Sequence, residues 1–245
     1  MVLIKTKEEI EIMARAGKIA GDSLREVLAA VRPGITTLEL ERIAEKAITK
    51  RGAIPSFRMV EDYDFATCIN INEGLVHGLP GDYKIKKGDL VSIDMGAYFN
   101  GFHSDLSYTI EVETSKETDF LETGKKALKA GIAKCKPGNR IGDISNAMQK
   151  IVEKAGYTVS RDLVGHGIGR DLHEDPYIPG YGRPGKGLEI KVGMVFAVDI
   201  IYQKGQPEII IGDDDWTILT ADGSLAGLFE HTVAVTGGKS RVLTQ

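Results

Sequence analysis

The chain has 245 residues, 42% hydrophobic and 27% charged, with a formal net charge of −4 and two cysteines, Cys68 and Cys135. A chain of that size buries roughly 70–75% of its unfolded surface; scattered Lys and Arg leave no nucleic-acid footprint, and two cysteines make no disulfide framework. No apolar run reaches the ~18 residues of a membrane span, and the opening MVLIKTKEEIEIM turns charged too early for a signal peptide, so a cytoplasmic protein is expected.

The first helix is marked by the capping-box pair Thr6 and Glu9 and by Ile10, Met13, Gly17, Ala20, Leu24, Val27 and Val31 at helical spacing. It is predicted to stop at Arg32-Pro33-Gly34. A second helix starts near Thr36, with Glu39 completing another capping box, and runs to Arg51-Gly52. A third carries Phe120, Leu121, Gly124, Ala127, Leu128 and Ile132 and ends at Lys136-Pro137-Gly138. A fourth ends near Ala155-Gly156. Pro33 precedes Gly52 by 19 residues, and Pro137 precedes Gly156 by the same 19.

A second correspondence follows each helix pair. Lys86 and Lys191 each lie two residues before a glycine, and Asp94 and Asp199 each follow that glycine by six, after an apolar strand. The offsets, 104 residues for the helices and 105 for the strands, predict an internal repeat. The expectation is one linker-free domain, residues 1–245, duplicated as about 1–115 and 116–245. Its α+β fold would set two pseudo-symmetric halves around a central antiparallel sheet, and a site on the axis would draw groups from both.

Between the helix pairs, Asn100-Gly101 is a two-residue turn signal inside Leu90–Val112. Phe99 then faces Phe102, and paired positions sum to 201. Asp94 opposes Ser107 and Asp105 opposes Gly96, so both aspartates share one face as diagonal neighbours, roughly 7–8 Å apart before the side chains lean together. Carboxylates so close repel unless a proton or a cation intervenes. Asp199 lies in the apolar run Met194 to Tyr202, where a charge is costly unless paired or coordinated. Glu230 opens the strand-like Glu230–Val235, and His166 sits among Gly165, Gly167 and Gly169, which permit close approach of a backbone and a ligand. Four carboxylates and one histidine form an oxygen-rich set suited to Mn, Fe, Co or Zn. They suit two divalent ions ~3.5–4 Å apart.

Other residues read more plainly. His231 points to the strand face opposite Glu230, while His103 shares the Asp105 face. His77 and His173 lie in glycine- or proline-flanked loops. No second histidine makes His173-Glu174 a zinc-protease helix motif, no serine sits in a nucleophile elbow, and the triple-glycine segment lacks the helix of a dinucleotide site. Cys68 reads as a pocket wall rather than a nucleophile.

In these residues the chain resembles the type I methionine aminopeptidases, over nearly its whole length. The motifs are Asn72-Glu73-Gly74-Leu75-Val76-His77-Gly78-Leu79-Pro80, Asp94 with Asp105, Gly165-His166-Gly167-Ile168-Gly169-Arg170 with Leu172-His173-Glu174-Asp175-Pro176, and Glu230-His231-Thr232. The resemblance implies the pita-bread (creatinase/aminopeptidase-like) fold and two divalent ions held by Asp94, Asp105, His166, Asp199 and Glu230. It implies hydrolysis of the bond after the N-terminal methionine of nascent polypeptides, with a small second residue, by a monomer working near the ribosome. His173 would donate to the developing oxyanion, and His77 would contact the scissile amide or the second residue. Either Glu230 or Asp199 would pass a proton to the leaving amine. Tyr63, Cys68, Leu172 and Trp216 are the candidates for a thioether pocket.

The chain departs from the family at Asp199-Ile200, where Glu-Pro is usual, at Val60, where an aromatic is usual, and at Tyr63-Asp64, where Phe-Pro is usual. An X-Pro aminopeptidase or prolidase of the same fold, and a non-catalytic peptide-binding module on this scaffold, are the competing readings.

Overall fold

The computed structural model describes residues 2–245. Helix α1, Lys7–Ala30, starts from the capping box of Thr6 and Glu9, and α2, Thr37–Thr49, from that of Thr36 and Glu39. In both, the threonine hydroxyl accepts from the glutamate backbone and the glutamate side chain accepts from the threonine backbone, satisfying two otherwise orphaned donors. Pro33 stops α1 as the sequence predicts. Short strand β1, Ile54–Pro55, leads into a 3-10 turn at Phe57–Met59. Then come β2, Thr67–Ile71, β3, Gly74–Val76, β4, Leu90–Phe99, and β5, Phe102–Glu111. Helices α3, Thr118–Ile132, and α4, Ile141–Lys154, follow. The remaining strands are β6, Thr158–Val159; β7, Val164–Gly167; β8, Glu174–Pro179; β9, Val195–Gln203; β10, Ile209–Ile211; β11, Ile218–Thr220; β12, Ala226–Val235; and β13, Ser240–Val242.

The central sheet runs β1-β4-β5-β12-β9-β7-β8, with β2 added to β4, β13 to β12 and β6 to β9. Its pairings are antiparallel, and a three-stranded sheet, β10-β11-β3, stands beside it. The β4–β5 hairpin has the predicted register at every position, from Leu90↔Glu111 to Phe99↔Phe102. Asn100 and Gly101 both take positive φ, as a primed two-residue turn requires.

Two apolar cores lie between helices and sheet. Leu24, Val27, Leu40 and Ile48 of α1 and α2 pack on Ile69, Ile93 and Met95. Phe120, Leu128, Ile144 and Met148 of α3 and α4 pack on Phe196, Val198, Tyr202 and Phe229. The chain also makes matching isolated bridges, Thr36↔Lys84 ahead of α2 and Arg140↔Glu189 ahead of α4. Gly88 and Gly193, each before a long strand, have φ of 93° and 90°.

Two boundaries differ from the sequence reading by more than two residues, the end of α3, at Ile132 rather than Lys136, and the start of β12. Glu230 does not open its strand: β12 starts at Ala226, so Glu230 stands mid-strand. Gly227 looks like a strand breaker, but the Tyr202 ring lies where its side chain would project, so the missing side chain is a packing requirement.

Candidate metal centre

Strand register builds the site. Cys68 of β2 pairs with Asp94 of β4, Asp94 with Ser107 of β5, Ser107 with Glu230 of β12, and Glu230 with Asp199 of β9. Directly paired residues project to the same face, so three carboxylates and two small polar groups form one row across five strands. Residues two positions along each strand share that face. They include Asp105, opposite Gly96, and Ala197, which pairs with His166 of β7. Between them, the Thr232 hydroxyl accepts from the Asp105 backbone N–H and donates to its carbonyl, each at 2.8 Å.

Among the described residues, Asp105, His166 and Glu230 present ligand atoms within 4.8 Å of one another. His166 Nε2 stands 4.0 Å from Asp105 Oδ2. Its Nδ1 lies 2.9 Å from the Gly167 carbonyl, an acceptor, so Nδ1 carries the hydrogen and Nε2 presents its lone pair to the cluster. Burial, helped by His173, pushes the His166 pKa down to about 4, leaving a neutral imidazole at pH 7. Asp94 and Asp199 lie outside that group but on the same row, near enough for their charges to raise the Asp105 and Glu230 carboxyls. Ser107 Oγ lies 2.7 Å from Asp94 Oδ1 and 2.8 Å from Glu230 Oε2, one hydroxyl proton between two carboxylate oxygens.

The electrostatics are those of a site suited to a cation. Burial raises all four carboxyls: Asp94 to about 7, Asp199 to about 8 with Asp94 adding to it, and Asp105 and Glu230 well above the usual range with their acidic neighbours adding further. Asp105 Oδ1 is buried without a hydrogen-bond partner. Such an orphan acceptor, beside a neutral imidazole and three more carboxyls, fits divalent metal.

The loop histidines come together beside this cluster. The His173 ring centroid is 4.5 Å from that of His166, and His173 is near enough to His77 to oppose the charging of His77. The pKa values of both are lowered, first by burial. Tyr63, Cys68, Leu172 and Trp216 fall into one apolar cluster with Phe57 and Ile168, adjoining the Cys68 end of the row. The Tyr63 ring packs at a tilt against Trp216, centroids 5.1 Å apart, and edge-on against Phe65 at 5.8 Å. Burial pushes the Cys68 thiol well up, so it stays protonated and is no nucleophile. Val60 lines the same cluster.

Other residues stand apart. His103 has Nδ1 3.1 Å from Ser56 Oγ and packs on Tyr98, outside the ligand group despite its shared face. His231 faces away, with Nδ1 2.9 Å from Thr244 Oγ1. The close approach permitted at Gly165 is taken by the protein itself. A Cβ there would stand 2.5 Å from Asp199 Oδ1. Sequence reasoning missed Ser107 as the link between Asp94 and Glu230, because only the local hairpin register was legible and not the β5–β12 pairing.

The sequence model of metallopeptidase family M24 matches residues 11–237, and the chain belongs to that family. M24 enzymes are metallopeptidases, hence hydrolases that use divalent metal, and the fold is their pita-bread fold. Two methionine aminopeptidases resemble it over their full length. That of Clostridium perfringens is 45% identical over 100% of this chain and 99% of its own. The crystal structure of that from Thermotoga maritima is 40% identical, with a TM-score of 0.97 over 100% of both chains. Prolidase from Pyrococcus furiosus is 28% identical, with a TM-score of 0.81 over 99% of this chain but 65% of its own.

The raised carboxyls set a pH dependence for the metal-free protein. A carboxyl whose folded pKa is raised contributes stability that is present below its unfolded pKa, near ~4, and lost as pH rises through the folded value. His166 acts oppositely, but its gain is nearly complete above about pH 7, past its unfolded pKa of ~6.5. From about pH 7 to 8.5 the carboxyls therefore govern. Calorimetric Tm of metal-free protein should fall across that window, and saturating Mn2+ should raise Tm and remove the fall. A flat metal-free profile would mean that the carboxyls are not mutually strained.

Proposed function

We propose that the chain removes the N-terminal methionine from nascent polypeptides by hydrolysing the bond to a small second residue. The observation carrying this reading is the row Cys68–Asp94–Ser107–Glu230–Asp199, which joins a largely buried carboxylate cluster to the apolar cluster that holds Cys68, Tyr63, Leu172 and Trp216. An unbranched thioether suits such a pocket. A prolidase reading is not favoured: the prolidase neighbour is a longer chain, and the full-length similarity is to methionine aminopeptidases. A binding module has no use for three carboxyls kept buried beside a fourth at such cost.

In this reading two divalent ions, from among Mn, Fe, Co and Zn, are held by Asp94, Asp105, His166, Asp199 and Glu230. When bound they supply Lewis-acid polarisation of the scissile carbonyl and a water nucleophile at neutral pH. The chain's own residues do the rest. The cluster around Tyr63, Leu172 and Trp216 binds the methionine side chain and excludes water. His77 and His173, held neutral by burial, each offer an N–H: His173 to the oxygen gaining charge, His77 to the scissile amide or second residue. Glu230 or Asp199, neighbours across one β-pair, passes the proton to the leaving amine. We further infer that the repeated helix pairs, bridges and strands are two halves of one catalytic domain, about 1–115 and 116–245. A monomer in the cytoplasm, meeting its substrates near the ribosome, completes the reading.

The decisive assay sets Met-Ala-Ser against Ala-Pro peptides, metal by metal. The Met peptide should be cleaved faster, and chelation should abolish the activity. Faster turnover of Ala-Pro, or full activity without metal, would overturn the assignment.

Asp199 carries its own expectation. It is one methylene shorter than the Glu usual in the family, and its Oδ1 leans against Gly165. One metal should therefore be held weakly, and Asp199→Glu should lower the Mn2+ concentration for half-activity about tenfold, or about 1.4 kcal/mol. Equal or looser binding in the Glu variant would show that β9 has already compensated.

A further inference from the structure

Glu41 is a buried carboxylate outside the metal cluster. It sits in α2, and only 3% of the residue is exposed. One carboxylate oxygen accepts from the Ala66 backbone N–H at 2.6 Å, the other from the Thr67 hydroxyl at 2.6 Å. Two donors on adjacent residues, one to each oxygen, fix both the carboxylate and the chain that supplies them. Arg58 stands 3.9 Å away and is itself paired with Glu45. Burial pushes the Glu41 carboxyl up, while the Ala66 and Thr67 bonds pull it back. An apolar residue would fill this place at less desolvation cost, so the acceptors themselves are what the position requires.

The segment so held matters. The Tyr63 hydroxyl donates to the Thr67 carbonyl at 2.8 Å and lies 3.1 Å from Cys68 Sγ. Regular strand begins only at Thr67, so the chain from Val60 to Ala66 lacks ladder bonds of its own. Tyr63 and Cys68 are two of the four pocket side chains, and both hang on the segment that Glu41 grips. We propose that Glu41 is a positioning residue for methionine recognition: from α2 it locks the Tyr63–Cys68 wall of the pocket through Ala66 and Thr67, touching neither substrate nor metal. The inference rests on the pocket reading given above.

Trp216, the sole tryptophan, packs against Tyr63 at 5.1 Å and reports on this wall without metal or substrate. Glu41→Met keeps the side-chain length and removes both acceptors. Glu41→Gln keeps an acceptor for Ala66 and offers its amide to the Thr67 oxygen. With Glu41→Met, KM for Met-Ala-Ser should rise about tenfold while kcat changes by less than about threefold, the signature of lost binding rather than lost chemistry. In the metal-free protein, Trp216 emission should shift to the red and acrylamide quenching should increase. Glu41→Gln should return all three readings towards the wild type. Should Glu41→Met fail to fold, Thr67→Val removes only the hydroxyl donor and should shift the same readings the same way by less. Unchanged Trp216 emission, a loss confined to kcat, or a Gln variant as impaired as the Met variant would overturn the proposal. A wild type inert to Met-Ala-Ser with every metal would instead sink the methionine reading, and Trp216 emission in the metal-free variants would still judge the wall.

Discussion

Four carboxyls, three buried and Asp94 half-buried, share one patch, and their mutual repulsion is the constraint around which the molecule is arranged. Each costs free energy to ionise there, and each raises the cost for its neighbours. A fold bears such a cluster only if rigid elements hold it in place and a cation offsets the charge. The sheet supplies the first condition. Strands β4, β5, β12 and β9 run antiparallel, so a single row of paired residues delivers Asp94, Ser107, Glu230 and Asp199 to one face. A one-residue slip in any strand would turn its ligand to the helix-covered face, where the apolar cores lie. The cores therefore hold the register, and the register holds the site.

The same arrangement accounts for the contributions of the smaller residues. Ser107 and Thr232 occupy the sheet centre between the acidic groups, where bulkier side chains would fill the space above it. The Thr232 hydroxyl ties β12 to β5 at Asp105. Gly165 leaves room for the Asp199 carboxylate, which brings β7 and its His166 close to β9. At one end of the row Cys68 opens into the apolar cluster of Tyr63 and Trp216. Recognition and chemistry are thus adjacent by strand order.

Much of this was legible from the sequence where the cause is local. The capping boxes at Thr6 and Thr36 located two helix starts, and Asn100-Gly101 determined all ten pairs of the β4–β5 hairpin. Alternation placed His231 away from Glu230. What stayed hidden depends on distant pairing. That Ser107 meets Glu230, 123 residues on, follows from the β5–β12 contact, which no local pattern encodes. The start of β12 at Ala226, ahead of Glu230, depends on its long pairing with β9, from Ala226↔Gln203 onward, which is equally distant in sequence. His103 shares the aspartate face yet is drawn to Ser56, a partner 47 residues upstream. Glu41 was equally hidden: among Glu39, Arg42 and Glu45 it looks like one more solvated helix charge, and only tertiary packing buries it.

If the carboxyls are held partly protonated by their own crowding, a metal must displace protons to enter. Titration calorimetry of metal-free protein with Mn2+ near pH 7, repeated in buffers of different ionisation enthalpy, counts those protons directly. The account predicts net release of about one proton or more per protein on saturation. Binding without proton release would mean that the buried carboxyls are already ionised and at ease, which contradicts the constraint on which the whole arrangement depends.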